Sequence, residues 1–436
     1  MKNRILRRVP VSKMTTVLVL FILILFFCPG FAAAQADNSR AEDTLVFRAA
    51  VFGPADEIFI WWGHTALIIE DTAGGEPRIF DWGIFSYSGD NFLREFIRDR
   101  VRYKCGVYPA RADIDMYIGE DRDITLYTLD LDSDAKRAIL AAAETNVLPE
   151  NSYYIYNQFS DNCATRIRDL IDMGTGGQLK SHFSRIPGRG TYRRHILRFV
   201  KDRPFAESFL DLITGRSADV EISMWEEMFL PVELGRNLTG FSYTGGDGTV
   251  RNLVTDIEII HVSRTRNAVP SFPRPLWPRN LAAGTGIVLL LLLFEIFGKK
   301  QPVSGRFFRG IIQSLLGLFL GAAGTALVFT VFFSGKDYMQ WNINILYINP
   351  LLLAAVPLGI CSGMGGLPGK FPRAEKLLRI LWTYVFIAGI VSLLLNVHPA
   401  VYQENQAVLA FVLPPAFVLS SVPVFIRKKA GKNRQE

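Results

Sequence analysis

The C-terminal third of the chain is a series of long apolar segments, and these constrain the fold more than any other feature. Crossing the hydrocarbon core of a bilayer takes roughly 20 consecutive apolar residues. Segments close to that length lie at about 281–298, 310–333, 345–363, 380–396 and 407–426. The sequence therefore predicts a C-terminal domain of five transmembrane helices.

Basic residues beside these segments predict their orientation. They cluster after the first, third and fifth segments: Lys299, Lys300, Arg306 and Arg309; Lys370, Arg373, Lys376 and Arg379; Arg427, Lys428, Lys429, Lys432 and Arg434. By the positive-inside rule these clusters face the cytoplasm, which places residues 37 to about 275 outside it. The rule also accounts for the net charge of +7, so the charge does not indicate a nucleic-acid partner.

The N-terminus has the pattern of a secretory signal. A basic start is followed by the apolar stretch Val17 to Phe27 and by the small residues Ala32 to Ala34. The predicted organisation is a signal peptide at 1–34, a periplasmic domain at 35–275, a membrane domain at 281–426 and a basic cytoplasmic tail at 427–436. An uncleaved membrane anchor is the alternative for the first segment.

The predicted periplasmic domain is of mixed α+β type. Residues rich in β-branched and aromatic side chains predict strands at Thr44–Phe52, Thr65–Ile69, Arg78–Ile84 and Asp123–Leu131. The turn-rich residues 71–77 predict that the second and third of these strands form a hairpin. Helices are predicted from Ser133 to Val147 and over most of 182–240. The basic stretch 192–200 within the latter is predicted to be an ordinary solvated face, with a role at the membrane surface as the alternative.

Cys163 is predicted to lie in the first turn of a helix. Asp161 and Asn162 before it are favourable N-cap residues, and an apolar helical face follows. At that position the helix dipole favours a thiolate, and free backbone N–H groups can stabilise an oxyanion. Two alternatives remain open: an inert buried cysteine, or a disulfide with Cys105.

His64 supplies the second chemical group. It opens a predicted strand, and a thiol nucleophile needs an imidazole within hydrogen-bond reach to take and return a proton. Asp81 on the paired strand is the predicted orienter of that imidazole. Glu70 is the weaker choice, because it lies at the other end of the strand of His64. The sequence shows neither zinc-ligand spacing nor a phosphate loop, and we expect no metal or cofactor.

Several motifs together resemble the Lnb family of lipoprotein N-acyltransferases. They are the segments 62–67 (WGHTAL), 81–85 (DWGIF), 156–166 (YNQFSDNCATR), 215–219 (GRSAD) and 227–231 (EMFLP). The resemblance implies a permuted papain-type fold, similar to the NlpC/P60 and lecithin:retinol acyltransferase groups, in which histidine precedes cysteine. It also implies that His64 is the base and Cys163 the nucleophile, and it leaves the third residue unsettled.

The same resemblance implies an activity at the inner membrane. An acyl chain would pass from a phospholipid to Cys163 as a thioester, and then to the α-amino group of a diacylglyceryl-cysteine lipoprotein. Asn157 and Asn162 in the cysteine motif, and Asn344 and Asn349 in an outward loop, are the candidate substrate-binding residues. Ordinary interfacial packing is the alternative for Asn344 and Asn349.

Two other functions compete with this one. An NlpC/P60-like cell-wall amidase or peptidase would use the same thiol chemistry, although a single membrane anchor would suffice for it. A non-catalytic membrane protein that binds lipid or lipoprotein would instead keep Cys163 as a buried, unreactive side chain.

Overall fold

A computed structural model describes residues 43–85, 94–95, 98–364 and 372–432, with side chains described as far as residue 421. The predicted signal peptide lies outside this range, as do the last four residues of the predicted basic tail. Their predicted roles stay predictions.

The described chain combines strands and helices in its N-terminal part and is mainly helical in its C-terminal part. The strands are β1 Leu45–Phe52, β2 His64–Asp71, β3 Arg78–Ile84, β4 Arg102–Pro109, β5 Ile124–Leu129, β6 Tyr153–Ile155, β7 Pro187–Thr191, β8 Glu221–Ser223, β9 Ser242–Thr244, β10 Val250–Asn252 and β11 Val254–His261. The helices of the N-terminal part are α1 Ala110–Gly119, α2 Ser133–Val147, α3 Cys163–Gly174, α4 Gln178–Phe183, α5 Tyr192–Leu197, α6 Pro204–Ile213, α7 Met224–Glu227 and α8 Pro231–Thr239. Those of the C-terminal part are α9 Trp277–Lys300, α10 Pro302–Phe333, α11 Ala355–Met364, α12 Pro372–Leu395 and α13 Gln406–Lys432.

A seven-stranded antiparallel sheet forms the frame of the N-terminal domain, in the order β11-β5-β1-β2-β3-β4-β6. The predicted hairpin is confirmed, because β2 pairs antiparallel with β3. The structure contains all four predicted strands and the predicted helix at Ser133–Val147. The ends of these elements lie within two residues of the predicted ends. The predicted mixture of helix and strand is therefore confirmed.

Side chains alternate between two buried faces along the central strands, as the two-residue period of a strand requires. Leu67 and Phe80 belong to a core that also contains Ala164 and Ile167 of α3. On the opposite face, Ala66 and Ile68 pack in a second core with residues of α1. His64 is the first residue of β2, so its ring lies at the end of the sheet.

Region 182–240 differs from its prediction in two respects. It contains the paired strands β7 and β8 as well as helices. The basic stretch 192–200 is not a solvated face: Arg193 is 1% exposed, and Arg198 is also buried. Arg193 donates to both carboxylate oxygens of Asp219, at 2.6 and 3.0 Å. The basic stretch can lie inside the protein because buried carboxylates form ion pairs with its arginines.

Within the described residues of the C-terminal part, four segments are long and apolar enough to cross a membrane. They are Trp277–Lys300, Pro302–Phe333, Ile343–Met364 and Pro372–Leu395, the third being 3-10 helix that continues into α11. The predicted fifth segment corresponds to α13, whose apolar stretch Gln406–Ser421 is shorter within the described residues. The protein is a multi-pass membrane protein, and its fifth crossing stays a prediction.

Small residues let α10 approach the third apolar segment closely. A Cβ atom on Gly317 would lie 2.5 Å from the Cβ of Ala355, and one on Gly321 would lie 2.7 Å from the backbone N of Leu353. Both separations are shorter than van der Waals contact allows. The Gly317–Gly321 pair therefore serves helix packing, as its spacing indicates.

A buried polar network joins the N-terminal domain to two connections between the apolar helices. Asp219, the partner of Arg193, also accepts a hydrogen bond from the backbone N of Glu404, at 3.0 Å. Asn342 donates to the backbone oxygen of Thr214 at 3.1 Å. Residues 334–342 follow α10 and residues 396–405 follow α12, so both connections lie on the side of the domain. The α9–α10 connection is at the opposite ends of these helices, which agrees with the predicted cytoplasmic side of its basic residues.

We predict that Arg193→Ala lowers stability strongly, because it leaves the buried carboxylates of Asp219 and Asp211 without their cation. Breaking a buried ion pair from one side costs about 3–5 kcal/mol. Thermal unfolding of the full-length protein in detergent would measure the loss. Arg137→Ala is the matched control, since Arg137 forms an exposed pair with Asp134, and surface changes stay within about 0.5 kcal/mol. Equal effects of the two substitutions would contradict the central role of Arg193.

Candidate active site

His64 and Asp81 form a close buried pair. The Nε2 atom of His64 lies 3.0 Å from Oδ1 of Asp81, and each side chain is 11% exposed. The backbone N–H of Gly83 donates to the same Oδ1 at 2.5 Å. A Cβ on Gly83 would lie 2.4 Å from Cε1 of His64, so only glycine leaves room for the ring. Asp81 is thus placed where the sequence predicts the orienter of His64.

The pair favours an imidazolium facing a carboxylate. Burial disfavours the charged ring, but interactions with Asp81, Tyr117 and Cys163 outweigh it and hold the pKa of His64 well above 6.5. Burial likewise opposes the charge of Asp81, yet the neighbouring imidazole and the N–H of Gly83 lower the pKa of this carboxyl. Because Cys163 acts on the pKa of His64, the thiol lies within electrostatic range of the ring.

Aromatic rings fix the orientation of His64. Phe52 is directly opposite it across β1 and β2 and stacks on it, with ring centroids 5.9 Å apart. Tyr117 of α1 lies 6.3 Å away, and Arg122 covers that tyrosine ring at 4.5 Å. The guanidinium of Arg122 in turn donates to the backbone oxygen of Gly53 at 2.9 Å. These contacts leave the imidazole little freedom to rotate.

Cys163 is the first residue of α3, as predicted, and it is buried. Asn162 caps the helix: its side chain accepts from the N–H of Thr165 at 2.9 Å, and Thr165 Oγ1 accepts from the N–H of Asn162 at 2.8 Å. The amide nitrogen of Asn162 also donates to the backbone oxygens of Gln158 at 2.7 Å and Phe229 at 3.0 Å. Asn162 therefore holds Cys163 in place, and its predicted contact with substrate stays a prediction.

Asn157 organises the loop that leads to Cys163. Its side-chain oxygen accepts from the N–H groups of Phe159 and Ser160, both at 3.0 Å. Its amide nitrogen donates to Asp99 at 3.4 Å, and Asp99 is paired at 2.5 Å with Lys336 from the connection after α10. The membrane domain is thereby linked to the loop that leads to Cys163. A substrate contact of Asn157 stays a prediction too.

Asn344 and Asn349 lie in the packing of the third apolar segment. Asn344 is fully buried; it donates to the backbone oxygen of Leu212 at 3.1 Å and accepts from Asn405 at 3.1 Å. Asn349 donates to the hydroxyl of Tyr384 at 2.8 Å and caps the following turn. The structure does not bring either residue into the contacts around Cys163, and their predicted contact with a lipid head group stays a prediction.

The cysteines described by the structure are free: Cys105, Cys163 and Cys361. The alternative of a Cys105–Cys163 disulfide is therefore wrong for this structure. Burial raises the pKa of Cys105 to about 12, which makes that thiol a poor nucleophile at neutral pH. Within the described ranges, no group of three or more His, Cys, Asp and Glu side chains is placed to hold a metal ion.

Sequence reasoning missed several residues that shape the site. Tyr117 and Asp99 gave no local signal, because each acts through a contact formed only on folding. The carbonyl of Phe229 supports Asn162, although the segment 227–231 drew attention only through the family resemblance. His195, for which the sequence offered no partner, lies 2.8 Å from buried Glu227 in that segment.

The fold and the site together define a class: a membrane protein whose N-terminal α/β domain presents a cysteine at a helix start, near a histidine–aspartate pair. Residues 33–196 match the family model of the Lnb N-terminal periplasmic domain. This match confirms, over the N-terminal domain, the resemblance to the Lnb family drawn from the motifs. Searches of curated proteins and of solved structures found no match.

We predict that Asp81→Asn moves the titration of His64 to lower pH. Burial lowers the pKa of His64, and the Asp81 carboxylate is the main group that raises it. Without that carboxylate the pKa of His64 falls, and the imidazolium loses its proton at a lower pH than in the unmodified protein. The pH dependence of Cys163 alkylation by iodoacetamide, followed by peptide mass spectrometry, would show the shift.

Glu70→Gln is the control for this experiment, because Glu70 lies at the other end of β2 and pairs with Arg48 at 2.6 Å. Its alkylation profile should match that of the unmodified protein. A profile unchanged by Asp81→Asn would remove Asp81 from the site.

We also predict that Asn162→Ala is more destabilising than Asn162→Ser. Serine keeps an N-cap acceptor, which is worth about 1 kcal/mol over alanine. Both variants lose the bonds to Gln158 and Phe229, which costs roughly 1–3 kcal/mol for each buried carbonyl left without a donor. Thermal unfolding would separate the two contributions. Full stability of Asn162→Ser would show that the bond to Phe229 is dispensable.

Proposed function

We propose that this protein is a lipoprotein N-acyltransferase. It would move an acyl chain from a membrane phospholipid to Cys163, and from there to the α-amino group of a diacylglyceryl-cysteine lipoprotein. The observation that carries the proposal is the buried His64–Asp81 pair within electrostatic range of a cysteine at the start of a helix. The match of residues 33–196 to the Lnb N-terminal periplasmic domain supports it.

The start of α3 is suited to acyl transfer. The side-chain oxygen of Asn162 accepts a hydrogen bond from the N–H of Thr165, and the backbone oxygen of Asn162 accepts one from the N–H of Arg166 at 3.0 Å. The N–H groups of Cys163 and Ala164 are then the first-turn donors for an oxyanion on a carbonyl attacked by the thiol. Their position next to the sulfur is what a tetrahedral intermediate on that sulfur requires.

An aromatic strip beside the thiol supports an apolar substrate. The pKa of Tyr156 is raised well above 10, first by burial and then by Cys163, so its hydroxyl lies within electrostatic range of the thiol. Tyr156 stacks on Tyr103 at 4.0 Å, Tyr103 on Phe85 at 4.8 Å, and Phe85 meets Phe59 at 5.2 Å. Such a half-buried run of rings fits an acyl chain better than it fits a charged cell-wall peptide.

The connection after α10 supports a site at the membrane surface. Its Lys336 reaches Asp99, and the ring of Tyr338 meets Phe159 of the cysteine loop edge-on at 4.9 Å. Both proposed substrates are anchored in the bilayer, so a site beside the outward ends of the apolar helices shortens their path. The contact also helps to exclude water, which would otherwise hydrolyse the thioester.

The proposed reaction has two half-reactions. His64, which the pairing with Asp81 favours as the imidazolium, holds the proton given up by the Cys163 thiol. The thiolate bonds to the ester carbonyl carbon, the ester C–O bond breaks, and the lysophospholipid oxygen receives the proton from His64. The neutral lipoprotein amine then attacks the thioester, the C–S bond breaks, and the amine proton passes to His64, which restores the imidazolium beside the Cys163 thiolate. Because the enzyme carries the acyl group between two substrates, we expect ping-pong kinetics.

The finer assignments belong to the same proposal. The order of His64 before Cys163, with the cysteine helix packed on an antiparallel sheet, supports a permuted papain-like domain. Helix α13 completes five crossings, which puts the domain and the basic tail on opposite sides of the inner membrane. In this scheme the donor is a phospholipid, the acceptor is a diacylated lipoprotein, and neither a metal nor a nucleotide takes part.

We predict that Cys163→Ser abolishes lipoprotein N-acylation, by at least about 1,000-fold, as expected when a nucleophile is removed. The measurement is mass spectrometry of lipoprotein N-termini from cells that lack their native activity and carry either version. Cys361→Ser is the control, because Cys361 is exposed on an apolar helix away from the site.

An amide-linked acyl chain with the unmodified protein and with Cys361→Ser, but not with Cys163→Ser, would support the transferase. Acylation by all three would exclude Cys163 as the nucleophile. If none acylates although each is inserted, the cell-wall hydrolase and the binding protein gain support. A digest of purified cell wall by the full-length protein would then distinguish these two.

A further inference from the structure

Helix α6, Pro204–Ile213, has two faces of opposite character. Phe205 is 80% exposed and Phe209 is 38% exposed, and their parallel rings are stacked with centroids 6.2 Å apart. On the other side, Glu207 and Asp211 are buried. The charged residues point inward and the largest apolar residues point outward, which is the reverse of a helix on a water-exposed surface.

The buried carboxylates explain the inward face. Glu207 is paired with Arg274 at 2.9 Å and with Arg279 of α9 at 2.8 Å. Asp211 is paired with Arg193 at 3.2 Å. These ion pairs fix the rotation of α6 about its axis. Phe205 and Phe209 are therefore held outward, and turning them inward would break the pairs.

The position of α6 along the apolar helices is also determined. Leu212 packs against the core of the membrane helices, and its backbone oxygen accepts from Asn342 at 2.8 Å. Leu210 packs against a buried cluster that includes Leu276, just before α9, and Ala407 at the start of α13. Helix α6 thus lies level with the outward ends of these helices.

Two exposed tryptophans also lie near the outward ends of the apolar helices. Trp277 begins α9, and Trp341 lies in the connection after α10; both are exposed. Tryptophan is enriched where a membrane meets water. The outward face of α6 therefore continues the lipid-facing surface of the helix bundle.

We propose that α6 is an interfacial helix, with Phe205 and Phe209 inserted into the phospholipid leaflet that surrounds the outward ends of the apolar helices. An amphipathic helix in the membrane plane buries its apolar residues at the boundary of head groups and acyl chains. The occupant of this face is lipid, because the face is continuous with the surface of the apolar helices. The inference does not depend on the proposed acyl-transfer chemistry.

The test is photocrosslinking of the full-length protein in phospholipid vesicles. Phe205→p-benzoylphenylalanine is a conservative change at an exposed ring, and Phe209→p-benzoylphenylalanine gives a second probe. Leu293 of α9, exposed on an apolar helix, is the position for a lipid-facing control. Val250, 74% exposed on β10 beside the charged residues Asp247 and Arg251, is the position for a water-facing control.

Mass spectrometry of the irradiated protein gives the answer. We expect phospholipid adducts at Phe205 and Phe209 at a yield close to that at Leu293 and several-fold above that at Val250. A yield at both phenylalanines as low as at Val250 would overturn the proposal. Crosslinks to a second copy of the chain in place of lipid would also overturn it, because the face would then be a protein interface.

Discussion

The buried guanidinium of Arg193 is the interaction on which the arrangement of the two parts of the protein depends. It forms ion pairs with Asp219 and Asp211 of the N-terminal domain. Asp219 also accepts a hydrogen bond from the backbone N–H of Glu404, in the connection between two apolar helices. A buried cation is tolerated only where its donors are satisfied, and here carboxylates and the carbonyl of Thr214 satisfy them. The N-terminal domain is therefore held in a defined position against the apolar helices. That position determines where α6 and the cysteine loop lie relative to the ends of these helices.

The candidate site combines groups from distant parts of the chain, each with a separate task. The end of the sheet supplies His64 and Asp81, and the start of α3 supplies Cys163. The helix cap at Asn162 is supported by the carbonyl of Phe229, about 70 residues later. Chemistry thus rests on short local motifs, whereas their alignment rests on contacts that form only when the whole domain has folded.

Local signals explain what could be predicted from the sequence. The strands around His64 and Asp81 follow from β-branched and aromatic runs, and the helix start at Cys163 follows from Asn162 as an N-cap. What could not be predicted depends on tertiary partners. The burial of Arg193 requires carboxylates 18 and 26 residues away. Asn344 was predicted as a candidate substrate-binding residue in an outward loop. It is buried, because Leu212 and Asn405 from distant parts of the sequence form hydrogen bonds with it.

The link from Lys336 through Asp99 to Asn157 has a mechanical consequence. It connects the end of a membrane helix to the loop that leads to Cys163, by one ion pair and one hydrogen bond. Coupling between two sites is reciprocal, so a tilt of α10 that displaces the loop is matched by a loop rearrangement that biases the tilt. A hydrophobic mismatch between bilayer and helix is accommodated in part by tilt, so a change in bilayer thickness that tilts α10 would also act on the geometry around Cys163.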